Sequence, residues 1–224
     1  MTTDTPRELH ALGALLTYPG PALLAALPEI GELLTPLARS LPAEAGERLW
    51  RLIEALQTGE PLALEEEYVA LFDRGRRTSL YLFEHVHGES RDRGPAMVDL
   101  HLAYARAGLA LVEGELPDYL PAVLEFLSRR PRDEADATLA DCAEVLRKLG
   151  QSLIEKGSLY AAVPDALLLG IRQPGLDWSC LPVPEEENWD ADWESPPAFG
   201  DDAGCVHKPA TATVRFMPRP PRQA

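Results

Sequence analysis

The residues best suited to chemistry in this sequence are concentrated in residues 79–99. Imidazole, carboxylate and guanidinium groups at this density indicate either metal binding or recognition of a charged partner. An apolar run, residues 80–83, leads directly into the charged part, so we expect one end of the segment to be buried and the other to face water or a partner. The charged and titratable residues of the segment are Glu84, His85, His87, Glu89, Arg91, Asp92, Arg93 and Asp99.

Metal binding would have to start from the pair His85 and His87. On a β-strand the two imidazoles would share a face, but on a helix they point about 200° apart. The surrounding pattern predicts a helix, and no third ligand follows at a convincing spacing. A facing set of His85, Glu89 and Asp92 would need the helix to continue through Gly88, which is typical of a helix end. The sequence therefore predicts no metal, and a metal-dependent hydrolase that uses the histidine pair stays as the alternative function.

Recognition of a basic partner is the other interpretation. An apolar wall followed by Glu84, Glu89 and Asp92 would accept a basic amphipathic helix, with the apolar groove supplying affinity and the carboxylates meeting positive residues. Histidine ordinarily titrates at about pH 6.5, so binding of such a helix would depend on pH. Arg91, Asp92 and Arg93 have a plainer explanation as well, an ion-pair network around a helix start.

Three motifs appear in chain order: YVALFD at residues 68–73, LFEHVHGESRDRG at residues 82–94 and ELPDY at residues 115–119. The central motif resembles the signature region of the NarJ-type chaperones, which belong to the wider family of TorD-like and DmsD-like redox-enzyme chaperones. The first and third motifs resemble the aromatic-x-x-Leu-Phe element and the acidic Pro-Asp hinge of the same family. The resemblance spans roughly residues 7–170 and departs from the family pattern at Pro95.

The resemblance implies a TorD-like chaperone that is not an enzyme, has no catalytic residue and needs no cofactor. Such a protein would bind the N-terminal segment of the apo catalytic subunit of respiratory nitrate reductase and permit insertion of the molybdenum cofactor before membrane attachment. Proteins of molybdenum cofactor biosynthesis would be further partners. The implied partner-peptide site consists of Tyr68, Phe72, Glu84, His85, His87, Glu89, Arg91, Asp92, Arg93, Glu115, Pro117, Asp118 and Tyr119.

Some of these residues also have structural explanations that need no partner. Asp118 is a good N-cap for the helix expected after it, and Pro117 fixes the chain that enters that helix. Tyr68 and Phe72 recur at helical spacing, which is more typical of a core stripe than of a contact surface.

Charge and cysteine content narrow the function classes. The chain of 224 residues carries a formal net charge of −15, which repels nucleic acid and anionic lipid and attracts basic segments. Its three cysteines show no C-x-x-C spacing, which argues against a disulfide framework and suits a reducing cytoplasm. No uninterrupted apolar run approaches the length of a membrane span, so no stable membrane insertion is expected.

The elements that must position these residues are predicted to be helices, because leucines recur at helical spacing and sustained alternation of apolar and polar residues is missing. Thr5 and Glu8 form a potential capping box for the first helix. Residues 95–112 carry Val98, Leu102, Ala105 and Leu109 on one side. The predicted helices after the first are residues 21–40 with a break at Pro28, 42–58, 61–72, 95–112, 118–130, 133–156 and 158–169 with an interruption at Pro164.

The fold class is therefore all-α, with one helical domain at residues 5–170 and a tail at residues 171–224. The tail is acidic and rich in proline, with isolated tryptophans in place of leucine stripes. Such a composition buries too little apolar surface to offset its ordering entropy and indicates disorder. Its tryptophans are either solvated or anchors that dock on a partner or on the domain itself.

Overall fold

In this computed structural model, residues 5–86, 93–111 and 114–179 are described, and they form ten α-helices. No β-strand occurs within these ranges; the β-type pairing found there is an isolated bridge between Tyr81 and Tyr119. The predicted all-α class is confirmed. The helices are α1 Arg7–Leu15, α2 Pro21–Ser40, α3 Ala43–Thr58, α4 Pro61–Tyr68, α5 Leu82–Val86, α6 Arg93–Arg106, α7 Leu120–Leu127, α8 Arg132–Asp141, α9 Ala143–Glu155 and α10 Ala162–Gly170.

Helix α1 lies in the middle of the helical core, between α2, α7 and α10. Its leucines are buried, and a glycine allows α7 to approach it closely. A Cβ atom at Gly13 would lie 3.2 Å from both the Leu124 Cβ and the Pro121 carbonyl oxygen, which is closer than ordinary van der Waals contact. The bare backbone at this position therefore sets the spacing between α1 and α7.

The predicted capping box at the start of α1 is wrong. The helix begins at Arg7 after Pro6, and no side chain caps its first turn. Glu8 instead accepts a hydrogen bond from Arg132 at 2.6 Å, so the carboxylate fastens α1 to α8. The Glu8 carboxylate, which the local pattern assigned to the cap, therefore forms a long-range ion pair instead.

The predicted break at Pro28 is also wrong, because α2 continues through both Pro28 and Pro36. Both prolines are exposed, whereas Leu27 and Leu34 on the opposite face are fully buried. A helix that curves around a core tolerates the missing proline N–H best on its solvent side, where the freed carbonyls can reach water.

By length and composition alone, α2 would also qualify as a membrane span. One third of its most apolar window is buried in this fold, and the core helices of soluble proteins meet the same criterion. Apolar residues on one face of α2 pack on α1 and α3. The opposite face is not covered by the described residues.

The long helix predicted at residues 133–156 is two helices, α8 and α9. They meet at Cys142, whose φ of −90° and ψ of −1° are turn-like rather than regular helix. The predicted apolar stripe is nevertheless buried on both sides of this junction, at Leu139 and at Leu146, Leu149 and Leu153. The last helix, α10, is preceded by a 3₁₀ turn, Leu159–Ala161, and Pro164 lies in its first turn without interrupting it.

Residues 171–179, which the sequence places at the start of the tail, pack on the helical domain through Asp165. This buried carboxylate accepts hydrogen bonds from the Leu176 amide at 2.8 Å and from the Trp178 indole at 3.1 Å. Arg48 pairs with the same carboxylate at 3.0 Å and stacks 4.3 Å above the Trp178 ring. Trp178 therefore docks on the domain itself. The rest of the predicted tail, from Cys180 onward, lies outside the described residues.

We predict that Asp165→Ala lowers the free energy of unfolding by about 3 kcal/mol, because it leaves the partly buried Arg48 without its carboxylate and releases Leu176 and Trp178. Urea unfolding monitored by circular dichroism measures the change. Glu144→Ala, which removes an exposed acid from surface pairs with Arg147 and Lys148, is the control and should change stability by less than about 0.5 kcal/mol. Equal effects of the two substitutions would contradict this role of Asp165.

Candidate functional site

The signature segment, residues 79–99, and the hinge loop, residues 115–119, meet as two short antiparallel stretches of backbone. The Leu82 amide donates to the Asp118 carbonyl at 3.0 Å, and the Leu120 amide donates to the Leu80 carbonyl at 2.8 Å. These bonds bracket the bridge between Tyr81 and Tyr119, whose rings contact each other at a tilt of 38° with centroids 5.4 Å apart. Residues 80–82 and 118–120, which are 36 to 40 positions apart in the sequence, are thereby brought into one site.

Asp118 is the fully buried centre of this junction. Its Oδ2 accepts a hydrogen bond from the Phe83 amide at 3.0 Å, so the carboxylate caps the start of α5. The prediction that Asp118 caps the helix following it is wrong: α7 begins at Leu120, Tyr119 precedes it, and no side-chain cap is made there. The Asp118 carboxylate thus caps α5 rather than α7, the helix that follows it in the sequence.

Tyrosine hydroxyl groups hold the hinge loop from two sides. Tyr68 donates to the Leu16 carbonyl at 2.9 Å and lies 3.3 Å from the Tyr119 hydroxyl. Tyr104, on α6, donates to the Pro117 carbonyl at 2.7 Å. Burial raises the pKa of the Tyr68, Tyr104 and Tyr119 hydroxyls above the usual tyrosine value, so all three stay protonated and able to donate at neutral pH.

His85 and Glu115 lie at the edges of the junction. The half-buried His85 ring donates from Nε2 to the Ser79 carbonyl at 2.8 Å, which sets its tautomer and occupies that nitrogen. Glu115 accepts a long hydrogen bond of 3.4 Å from the Tyr81 hydroxyl. Glu84, on the same helix as His85, is exposed. The accessible edge of the junction therefore presents carboxylate groups.

The residues of the predicted site divide into buried and accessible groups. Tyr68, Phe72, Pro117 and Asp118 are buried, and Tyr68 and Phe72 pack ring to ring at 4.8 Å. Glu84 is exposed, and His85, Glu115 and Tyr119 are partly buried. Arg93 begins α6. Four residues of the predicted site lie outside the described residues, namely His87, Glu89, Arg91 and Asp92. His87 is one of the two histidines on which the hydrolase alternative depends.

No group of three or more His, Cys, Asp or Glu side chains that could hold a metal ion is found in residues 5–86, 93–111 and 114–179. Within the same ranges His85 uses its Nε2 for the Ser79 carbonyl rather than directing it toward a carboxylate. Hydrogen bonding to backbone and stacking of rings are the interactions that organise this junction, and they suit the shaping of a binding surface.

Helix α6 presents an apolar stripe to solvent. The side chain of Val98 is 58% exposed and that of Leu102 is 43% exposed, whereas Tyr104 is buried against Phe126 at 4.9 Å and bonded to the hinge. The sequence pattern identified Val98 and Leu102 as one face, but the face points outward. Helix α6 begins at Arg93, so Pro95 falls in its first turn, where proline is tolerated.

Three residues of the junction were missed by sequence reasoning, namely Ser79, Tyr81 and Tyr104. Each acts through a hydrogen bond to a residue distant in the chain or to backbone, and no local spacing signals such a bond. Tyr81 lies one residue before the central motif, inside the apolar run at residues 80–83, and the local pattern assigns it no other role.

Comparisons with known proteins identify relatives of this chain. A profile of the nitrate reductase delta subunit family matches residues 38–162. The chain is 41% identical to the nitrate reductase molybdenum cofactor assembly chaperone NarJ of Escherichia coli strain K12, over 93% of this chain and 91% of that protein. It is 32% identical to the NarJ protein of Bacillus subtilis strain 168, over 78% of this chain and 94% of that protein.

A solved structure shares the fold. It is a redox enzyme maturation protein from Archaeoglobus fulgidus, with a TM-score of 0.57 and 21% sequence identity over 77% of this chain and 97% of that chain. At this level of identity the likeness concerns the helical fold alone.

We predict that Asp118→Ala lowers the free energy of unfolding by about 2 kcal/mol and accelerates hydrogen exchange of the Phe83 amide, because that amide loses its acceptor. Asp118→Asn, which keeps an acceptor oxygen, should lose less. Urea unfolding and hydrogen exchange followed by nuclear magnetic resonance provide the measurements. Asp99→Ala, at an exposed position of α6, is the control and should leave Phe83 exchange unchanged. Unchanged Phe83 exchange in Asp118→Ala would show that the carboxylate does not cap α5.

Proposed function

This chain belongs to the nitrate reductase delta subunit family, and on that basis we propose that it binds the N-terminal segment of the catalytic subunit of nitrate reductase before the molybdenum cofactor is inserted. Relatives that align along most of its length are named as molybdenum cofactor assembly chaperones of nitrate reductase and not as catalysts. The chain is accordingly an assembly chaperone for nitrate reductase rather than an enzyme, and the catalytic subunit is its client.

The observation that carries the proposal is the exposed apolar stripe of α6 beside the hinge. Val98 and Leu102 are one helical turn apart and are 58% and 43% exposed, whereas an α-helix of a folded domain normally turns such a stripe inward. The helix is anchored to the hinge through Tyr104 and Pro117, so its outer face has a defined position next to the junction. An amphipathic client segment that covered this stripe would remove apolar surface from water on both partners.

Charge supports a basic client segment. The accessible acids at the junction are Glu84 and Glu115, and the whole chain carries a formal net charge of −15. Exposed carboxylates contribute little to affinity in water, but they steer a basic segment toward the site and select its orientation. In this proposal the apolar face of the client segment meets α6, and its positive side chains meet the acids of α5 and the hinge.

Chaperone action follows from a difference in affinity between two states of the client. The segment is accessible in the apo subunit and buried in the finished enzyme, so the chaperone holds the first state and releases the second. We place this step in the cytoplasm, where proteins of molybdenum cofactor biosynthesis would deliver the cofactor before the client reaches the membrane. Release on burial of the segment would order cofactor insertion ahead of membrane attachment.

We predict that a synthetic peptide covering the N-terminal segment of the catalytic subunit binds the chain with one-to-one stoichiometry, because an exposed apolar stripe beside accessible carboxylates is complementary to a basic amphipathic segment. Isothermal titration calorimetry provides the measurement. A folded protein that gives no heat with the peptide would refute the proposed function.

We further predict that the double substitution Val98→Ser with Leu102→Ser weakens peptide binding by about tenfold without lowering the melting temperature, because both side chains are exposed before the client binds. Leu62→Ser is the matched control. Leu62 is 60% exposed on α4, so this change removes exposed apolar surface at a different place and should leave peptide affinity intact. Equal losses in the two variants would remove α6 from the client site.

A further inference from the structure

A second surface lies between α2 and α3, on helices that take no part in the hinge junction. It is a groove of about 510 Å³ that contains one large exposed hydrophobic side chain, Trp50. The indole is 40% exposed and lies over Gly31, where a Cβ atom would come within 3.3 Å of its Cζ3. The glycine thus makes room for the ring to lie against α2 while part of the indole stays open to solvent.

The charged residues that line this groove are acidic, Glu32 from α2 and Glu54 from α3. Glu54 is four residues after Trp50, which places both side chains on the same face of α3. Among the other polar residues, Thr35 already donates its hydroxyl to the Gly31 carbonyl at 2.9 Å. Pro28 lacks an N–H and cannot donate to the Leu24 carbonyl as a regular helix would. Both charged side chains of the groove are therefore hydrogen-bond acceptors, and Gln57, which also lines it, is neutral.

The same chain shows which group suits an indole next to a carboxylate. Arg48 stacks 4.3 Å above the Trp178 ring and pairs with Asp165 at 3.0 Å. Guanidinium combines a flat face for the ring with donors for carboxylate oxygens, whereas a lysine ammonium is a compact charge without a stacking face. At the groove, the indole of Trp50 and the carboxylates of Glu32 and Glu54 supply the corresponding ring and acceptors.

We propose that the groove between α2 and α3 binds an arginine of a basic polypeptide segment of a protein partner. The guanidinium stacks on the exposed part of the Trp50 indole and donates hydrogen bonds to Glu32 and Glu54, and neighbouring apolar residues of the segment lie along the exposed Pro28. This surface is separate from the client site at α6 and the hinge, and the inference does not depend on the proposed function.

The test compares two peptides that differ only in the cation. The first is ALRALLRALLRA and the second is ALKALLKALLKA, both acetylated, amidated and fluorescently labelled. We expect the arginine peptide to bind the full chain at least about fivefold more tightly than the lysine peptide in fluorescence anisotropy, because only guanidinium gains both the ring and the paired acceptors. Simple attraction to an acidic protein would treat the two peptides alike. Equal affinities, or no binding of either peptide at millimolar concentration, would overturn the proposal.

Variants locate the effect. Trp50→Leu should abolish the preference for arginine, and Glu32→Gln with Glu54→Gln should weaken the arginine peptide about tenfold. Glu66→Gln with Asp141→Asn removes the same charge at exposed positions elsewhere and should change the affinity by less than about twofold. Similar losses in both charge variants would show that net charge alone attracts the peptide and would overturn the proposal.

Two further measurements keep these outcomes interpretable. Circular dichroism melting curves establish that Trp50→Leu is folded, as expected for a side chain that is 40% exposed. Sedimentation velocity of the full chain without peptide tests whether a second copy occupies the groove. A dimer that dissociates in Trp50→Leu would assign the groove to self-association and overturn the arginine proposal.

Discussion

A single buried carboxylate, Asp118, holds the hinge loop and the signature helix together. Its backbone carbonyl and its side chain accept from two successive amides, those of Leu82 and Phe83. A carboxylate in a water-excluded place is costly unless hydrogen bonds satisfy it, so the bond from the Phe83 amide favours this relative position of the two segments. The contact between the Tyr81 and Tyr119 rings and the placement of His85 and Glu115 accompany that register.

The motif residues of this chain therefore act in two ways. Asp118, Pro117 and Tyr68 are buried and shape the surface without being accessible to a partner. Glu84 and the outer face of α6 are accessible and available for contact. Tyr104 connects the buried residues to the accessible ones. Its ring is buried and bonded to the hinge, and the same helix presents Val98 and Leu102 to solvent. A surface built on a rigid frame loses less conformational entropy when a client segment binds than a surface that must order itself first.

Acidic side chains have different roles according to their surroundings. Asp165 is buried and uses Arg48 from the same chain, together with the indole of Trp178, to fasten residues 171–179. Glu32 and Glu54 flank a comparable indole, Trp50, in an open groove. The net charge of −15 attracts basic partners from a distance, but local geometry at these rings and carboxylates decides which cation is preferred.

Local sequence patterns determined the helical class, most helix positions, the acidic character and the membership of a chaperone family, because periodicity, charge and motifs are properties of neighbouring residues. They also identified the stripe of Val98 and Leu102 and the hinge residues Pro117 and Asp118. Only the tertiary structure decided that the stripe faces outward, that Asp118 caps α5 rather than α7, that Glu8 pairs with Arg132, and that α2 continues through Pro28. Each of these outcomes depends on a partner or a packed face far away in the chain, and a long-range contact can outweigh a local preference of about 1 kcal/mol.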